Sequence, residues 1–279
     1  PRRPLVVTSS DGATWEAVDS GEQFKPAKNT SLATFAATYG PAGYVIVGED
    51  GLSAATWFST DLKTWERGRS VGNNGLEALP NSHRWLRDVA SGPSGYVAVG
   101  GLRDPALGKG PAARPAVWTS PDGKQWTLQQ LPLLGGLAEA FLTHVAMKGN
   151  TVVALGTGAA GSTSTPVGYV STDGGKTWRE SRPDAPEETD NIKVTALTAT
   201  SNGFVATGTA GRDGSTDVVS WTSADGSSWS GAKHDGKGLG GPGDQEITGL
   251  TPFKDHLLGV GRNVDQSDEQ PVLWRRPIP

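Results

Sequence analysis

One short motif recurs five times, and it limits what the chain can fold into more than any other feature. It reads Ser9-Ser10-Asp11-Gly12-Ala13-Thr14-Trp15, then Ser59-Thr60-Asp61-Leu62-Lys63-Thr64-Trp65, then Ser120-Pro121-Asp122-Gly123-Lys124-Gln125-Trp126. The last two are Ser171-Thr172-Asp173-Gly174-Gly175-Lys176-Thr177-Trp178 and Ser223-Ala224-Asp225-Gly226-Ser227-Ser228-Trp229. The leading serines stand 50, 61, 51 and 52 residues apart. A second element repeats in step, an apolar stretch ending in glycine. It covers 44–48, 96–100, 152–156, 204–208 and 257–261, and its last residues are Gly48, Gly100, Gly156, Gly208 and Gly261. Turn-forming residues precede each stretch, as in Gly40-Pro41-Ala42-Gly43, and another short apolar segment precedes the turn, as in 86–90. Each unit reads as strand, tight turn, strand ending in glycine, variable loop, strand, motif, strand. Four antiparallel strands in about 50 residues is the grammar of a propeller blade. Only residues 131–141 show a weak helical period.

Composition agrees with this and removes several classes of function. Among 279 residues, 39 are Gly and 10 are Trp, which suits many turns around aromatic packing and argues against disorder. There is no Cys, which excludes a disulfide framework, a thiolate metal site and a cysteine nucleophile. The net charge of −4 offers no basic excess for nucleic acid. No apolar run approaches the roughly 18 residues of a membrane helix. Dinucleotide, phosphate-loop, zinc-protease and serine-hydrolase motifs are missing, as is calcium-loop spacing around Asp265, Asp268 and Glu269, so neither cofactor nor metal is expected. The chain starts at Pro1, which reads as a mature or excised part of a larger chain or complex, with an extracellular or cell-surface location expected.

The motif resembles the Asp-box, or BNR repeat, of sialidase-like β-propellers, whose pattern is Ser-x-Asp-x-Gly-x-Thr-Trp. Residues 171–178 match it in full; the other four copies are one residue shorter, and the second has Leu62 in place of glycine. The resemblance implies an all-β propeller of four-stranded antiparallel blades. Five glycine-ended strand pairs favour five blades, or six if strands upstream are missing. The expected domain is a single propeller over 1–279, its N-terminal hairpin 5–18 closing on strands within 246–276. In this frame Asp11, Asp61, Asp122, Asp173 and Asp225 bond their own turn amides, while Trp15, Trp65, Trp126, Trp178 and Trp229 pack on neighbouring strands. The family's sialidases carry an arginine triad, a Tyr nucleophile paired with Glu, and an acidic Asp. Tyr39, Tyr44, Tyr96 and Tyr169 all read as framework, so no nucleophile is left for that mechanism. The expectation is therefore a non-catalytic propeller that recognises a glycan or a protein partner. The alternative is a glycoside hydrolase using paired loop carboxylates among Asp50, Asp104, Asp213 and Asp265.

Strand alternation puts motifs and tight turns at one end of the strands, and the loops after the repeated glycine at the other. Those loops carry Arg103, Asp104, Arg212, Asp213, Arg262 and Asp265. Their guanidinium forks suit carboxylates or sugar hydroxyls, against the plainer reading of solvated loop charge. His83-Arg84-Trp85 enters an inner strand from the same end. Trp85 alone falls outside both repeated tryptophan columns, which fits a stacking platform for a sugar or partner as well as a core tryptophan at a strand start. Asp88 and His144 each lie twelve residues before a repeated glycine and are expected to pair on adjacent inner strands.

Overall fold

The computed structural model describes residues 4–18, 21–72, 75–105, 112–187, 189–236, 238–265 and 268–279. The chain divides into two compact units, Pro1–Leu131 and Pro132–Pro279. The first opens with a small hairpin, β1 (Val7–Thr8) and β2 (Glu16–Ala17). Strands β3 (Leu32–Gly40), β4 (Gly43–Asp50), β5 (Ser53–Ser59) and β6 (Glu66–Arg67) then make an antiparallel sheet in sequence order. After β7 (Arg69–Ser70) come β8 (His83–Gly92), β9 (Gly95–Arg103), β10 (Arg114–Ser120) and β11 (Gln125–Gln130), again in order, with β7 pairing in parallel on β11.

The second unit repeats the plan. Its first sheet is β12 (Glu139–Lys148), β13 (Thr151–Ala160), β14 (Thr163–Ser171) and β15 (Arg179–Glu180). Next come β16 (Lys193–Thr200), β17 (Gly203–Arg212), β18 (Ser215–Ser223) and β19 (Ser230–Lys233), then β20 (Gly243–Phe253), β21 (His256–Asp265) and β22 (Asp268–Pro277). Ser215 and Thr216 of β18 join the last two groups by pairing in parallel with Gly243 and Asp244. Among the described residues there is no α-helix, and a 3-10 turn stands at Glu22–Phe24. The weakly helical segment 131–141 is a loop running into β12, because Pro132 withholds a backbone donor and Gly136 takes a φ of 83°. The second strands β9 and β17 are buried along nearly their whole length, and β13 through its N-terminal half, which accounts for their unbroken apolar runs.

The repeated glycine has a specific steric cause. Each first strand carries a bulge that skips one residue: Phe35, Arg87, Thr143, Thr195 or Thr248. The bulge pushes the backbone just before it onto the second strand. A Cβ on Gly48, Gly100, Gly156, Gly208 or Gly261 would lie 2.0, 1.9, 2.0, 2.5 or 1.9 Å from the carbonyl oxygen of Ala33, Trp85, Phe141, Lys193 or Glu246. No side chain survives that approach, so the glycine marks a bulge opposite it and not a turn.

The five-fold motif is a staple of hydrogen bonds. In every copy the serine Oγ accepts the amide of Gly12, Leu62, Gly123, Gly175 or Gly226 at 2.8 Å. The aspartate Oδ1 accepts two successive amides, in the second copy those of Lys63 and Thr64 at 2.8 and 2.7 Å. Those bonds, Thr64 first, hold the Asp61 pKa down to about 2. Leu62 takes the positive φ (62°) that Gly12 and Gly123 take in their copies (74° each). Trp65, Trp126 and Trp178 donate their indole N–H to the carbonyls of Leu62, Gly123 and Gly175, and Trp229 donates to Ser181 Oγ. Trp15 departs from the expected packing and is 60 % exposed, because β1–β2 offers only two short strands to lie against. A second aromatic column works outward: Trp57, Trp118, Tyr169 and Trp221 donate to the linker carbonyls of Gln23, Gly75, Pro132 and Asp184.

Side chains also clamp sheet to sheet inside each unit. The Tyr96 hydroxyl of the second sheet accepts the Gly43 amide at 2.9 Å and donates to the Gly43 carbonyl at 2.8 Å. Thr195 Oγ1 of β16 donates to the Ile247 carbonyl of β20 at 2.6 Å. His144 of β12 bonds the Val194 backbone of β16, and burial drives its pKa down to about 4 against that bond's opposing effect.

Gly100→Ala should lower the urea-unfolding free energy by about 3 kcal/mol or more, through the clash with the Trp85 carbonyl. Gly149→Ala, at a φ of 60° with open space around it, should cost only about 1 kcal/mol. Equal losses would refute the steric account. The neutral native state of His144 means that the unfolded chain takes up its proton first on acidification. Stability should therefore fall as pH drops from about 6.5 to about 4, by at most about 3 kcal/mol from this group. Burial lowers the pKa of His83 and His234 as well, so they add to the same slope. His144→Asn should flatten the urea midpoint against pH in that window, and an unchanged profile would assign the slope elsewhere.

Candidate functional site

The bulges make the first strands the places where side chains leave the sheet pattern. In the first unit the bulge residues of β3 and β8 meet, with the Arg87 guanidinium 4.3 Å from the Phe35 ring. Arg87 also reaches Glu49 at 3.4 Å, and His83 Nε2 faces the same carboxylate at 3.6 Å. The His83 ring lies 4.8 Å from that of Trp85, and Arg103 stands 5.7 Å over Trp85. Burial lowers the His83 pKa, while the charge of Glu49 works against it. This unit thus gathers His83, Trp85 and Arg103, but not as an open platform. Trp85 is 5 % exposed and sits in the core at its strand start. Arg84 is buried too, with Nη1 donating to the Gly75 carbonyl at 3.2 Å; burial lowers its pKa while the charges of Asp104 and Glu77 oppose that.

The second unit holds the more open arrangement. A cleft of about 520 Å³ lies over its first strands, lined by Glu139, Phe141, Thr143 and His144 of β12, by Lys193, Val194 and Thr195 of β16, and by Glu246 of β20. A second hollow of about 220 Å³ shares Lys193, Thr209 and Glu246 with it and adds Asp213, Asp244 and Arg262. Lys193 Nζ pairs with Asp213 at 3.2 Å. Arg262 forks between Glu246 at 3.3 Å and Glu269 at 3.2 Å, and hydrogen bonding by Glu269 followed by the charge of Glu246 raises its pKa. Asp244 is a clasp, accepting the amides of Gly214 and Thr216 and the Thr216 hydroxyl.

Of the expected loop residues, Asp213 and Arg262 reach this region. Arg212 and Asp265 are exposed at the ends of β17 and β21. Asp50 is tied to the Thr30 hydroxyl at 2.7 Å, the Ala27 amide at 3.2 Å and Arg67 at 3.2 Å, which makes it a loop fastener. Asp88 and His144 fall in different units; Asp88 accepts the Val89 amide at 2.8 Å, and His144 bonds Val194. Glu139, Lys193 and Glu246 were not expected, because they stand on strands and not in loops. A signal for two of them exists. Lys193 and Glu246 each lie fifteen residues before a repeated glycine, in one column with Ala33, Trp85 and Phe141. Among the described residues no helix is long and apolar enough to cross a membrane. Two carboxylates, a lysine and an arginine around a polar hollow can hold a polyhydroxylated ligand and exchange protons with it.

No protein-family model matches the chain, and no curated protein does. Solved structures do. YjhT aligns over 94 % of this chain and 87 % of its own at 11 % identity, with a TM-score of 0.53. An exo-1,5-alpha-L-arabinanase from a bovine ruminal metagenomic library covers 88 % of this chain and 94 % of its own at 12 % identity, TM-score 0.45. A glycosidase structure from Bacteroides thetaiotaomicron covers 91 % and 94 % at 14 % identity, TM-score 0.47. Most of the neighbours bear glycoside hydrolase names, and this corrects the expectation of a protein without enzymatic activity. That expectation rested on a missing Tyr nucleophile, which excludes one mechanism and leaves two-carboxylate chemistry open. At these identities the likeness is one of fold, and the fold is a β-propeller.

Proposed function

We propose that the chain is an Asp-box propeller that hydrolyses a glycoside in the cleft of its second unit, with Glu139 and Glu246 as the carboxylate pair. The observation that carries this reading is that two glutamates from separate first strands, β12 and β20, line one cleft of otherwise largely apolar and small side chains, with Lys193 on β16, which packs against both strands. Glycosidic cleavage needs one carboxyl to protonate the departing oxygen and a second carboxylate to activate water or attack the anomeric carbon. Arg262 fixes the direction of Glu246, which suits it to the second role. Lys193 is placed to hold ring hydroxyls. An extracellular site of action fits a glycan substrate.

The test is release of reducing sugar from a panel that includes α-1,5-arabinan, β-1,2-mannan, β-glucans and acidic glycans. Glu139→Gln and Glu246→Gln should each lower kcat by about 10²- to 10⁴-fold, with the melting temperature nearly unchanged. Wild-type protein that binds a glycan and cleaves none, or variants as active as wild type, would overturn the assignment.

A further inference from the structure

We infer that β22 is a pairing edge for a second copy of this chain, the two β22 strands joining antiparallel about a two-fold axis at Val272. The inference is independent of the glycoside reading. In the four repeating sheets before it the outermost strand is short. Strands β6 and β15 have two residues each, β19 has four and β11 has six, and β7 covers β11 in parallel. Short edges keep a sheet from pairing with other chains. The last sheet ends instead on ten residues, Asp268–Pro277, which among the described residues pair with β21 alone. All of them are exposed except Val272 and Trp274, which are half-buried, and Leu273 is 67 % exposed. The opposite edges of the sheets, at the first strands, lie against one another within each unit.

The other sheets show which groups this edge offers. Trp274 stands in the column of Trp57, Trp118, Tyr169 and Trp221, two places beyond the residue opposite the repeated glycine. In those sheets a carbonyl one or three places before the column accepts an amide from the chain beyond. Thr56 accepts from Gly68, Pro115 from Leu131 and Gly168 from Ser181, each at 2.9 Å, and Val218 from His234 at 3.2 Å. The same places in β22 are Leu273 and Pro271, so their carbonyls face the open edge, and Pro115 shows that a proline there still accepts. Antiparallel pairing about Val272 sets Pro271 opposite Leu273 of the second copy, so that each Leu273 amide meets a Pro271 carbonyl. It also sets Glu269 opposite Arg275 and Asp268 opposite Arg276. The strand is acidic at its start, apolar in its middle and basic at its end, and is thus complementary to its own reverse. The Glu269 carboxylate, which Arg262 also reaches at 3.2 Å, stays 60 % exposed. Parallel addition would set like charges side by side. Each copy brings one such edge, so the pairing closes at two copies.

The experiment is sedimentation velocity of the whole chain over a concentration series, with melting temperature in parallel. It compares wild type, Leu273→Pro, Asp268→Arg, Arg276→Asp and the double swap that joins the last two. Wild type should dimerise reversibly. Leu273→Pro removes an amide aimed at the open edge and no bond to β21, so it should leave the melting temperature of the monomer near wild type and raise the dimer Kd about tenfold or more. Each single charge reversal should weaken the dimer by a similar factor. An equimolar mixture of the two reversals should dimerise again, because each reversed charge then meets its opposite, and the double swap should dimerise as wild type does. Wild type that stays monomeric, a dimer indifferent to Leu273→Pro, or reversals that neither the mixture nor the double swap rescues would overturn the inference. None of these outcomes bears on glycan cleavage.

Discussion

The close approach of backbone to backbone at the five bulges is the constraint on which the rest of the structure depends. A first strand that gains one residue must press its carbonyl onto the second strand, and only glycine leaves room. The consequence is a fixed register in every sheet, since the glycine can sit opposite one place only. Register in turn decides which residues of the second strands face each neighbouring sheet. It also places Trp57, Trp118, Tyr169 and Trp221 at equal positions opposite those strands, where each reaches a linker carbonyl. The aromatic framework is thus downstream of a contact between main-chain atoms.

The repeated serine–aspartate turn secures the other end of the strands by a different means. Its bonds are short-range and largely solvent-exposed, so each contributes modestly. Their worth lies in shape: serine and aspartate together accept three amides of one tight turn, which leaves the tryptophan at a set angle to the sheet. Where the sheet is a full one, as around Trp126, the indole is wholly buried. In the first copy the same turn forms on a two-stranded hairpin and the indole stays in water. The motif therefore shapes the turn by itself, and burial of its tryptophan is supplied by the neighbours.

The fold was legible because its repeat is written in residues with few substitutes: a glycine under a carbonyl, a serine–aspartate pair, an indole. The site was legible only in part. Alternation along a strand predicts which residues face inward, but a bulge adds one residue and breaks that count. Charged residues after the repeated glycine drew attention as loop groups. Asp50 fastens a loop, and Arg212 lies exposed at the end of β17. Trp85 stood out for leaving the tryptophan columns, yet it shares its place with Lys193 and Glu246. The deviation was real, and the column as a whole was the signal: its carbonyls are constrained while its side chains differ from sheet to sheet.

That separation of duties explains why charged groups can stand on buried strands here as well as on loops. At the column before the bulge the main chain does the structural work, through the oxygen that meets the glycine. The side chain carries no packing duty common to all five repeats, so alanine, tryptophan, phenylalanine, lysine and glutamate are all compatible with the same backbone. A group mounted there inherits the rigidity of a paired strand, which holds it more closely than a loop can. The bulge residue two places on has the same freedom, and in the second unit it is threonine in all three sheets. One of these hydroxyls donates to a neighbouring carbonyl, one lies in solvent, and the third, on Thr143, is enclosed without a partner among the described residues. A single framework contact, repeated, thus yields chemically distinct positions on identical geometry.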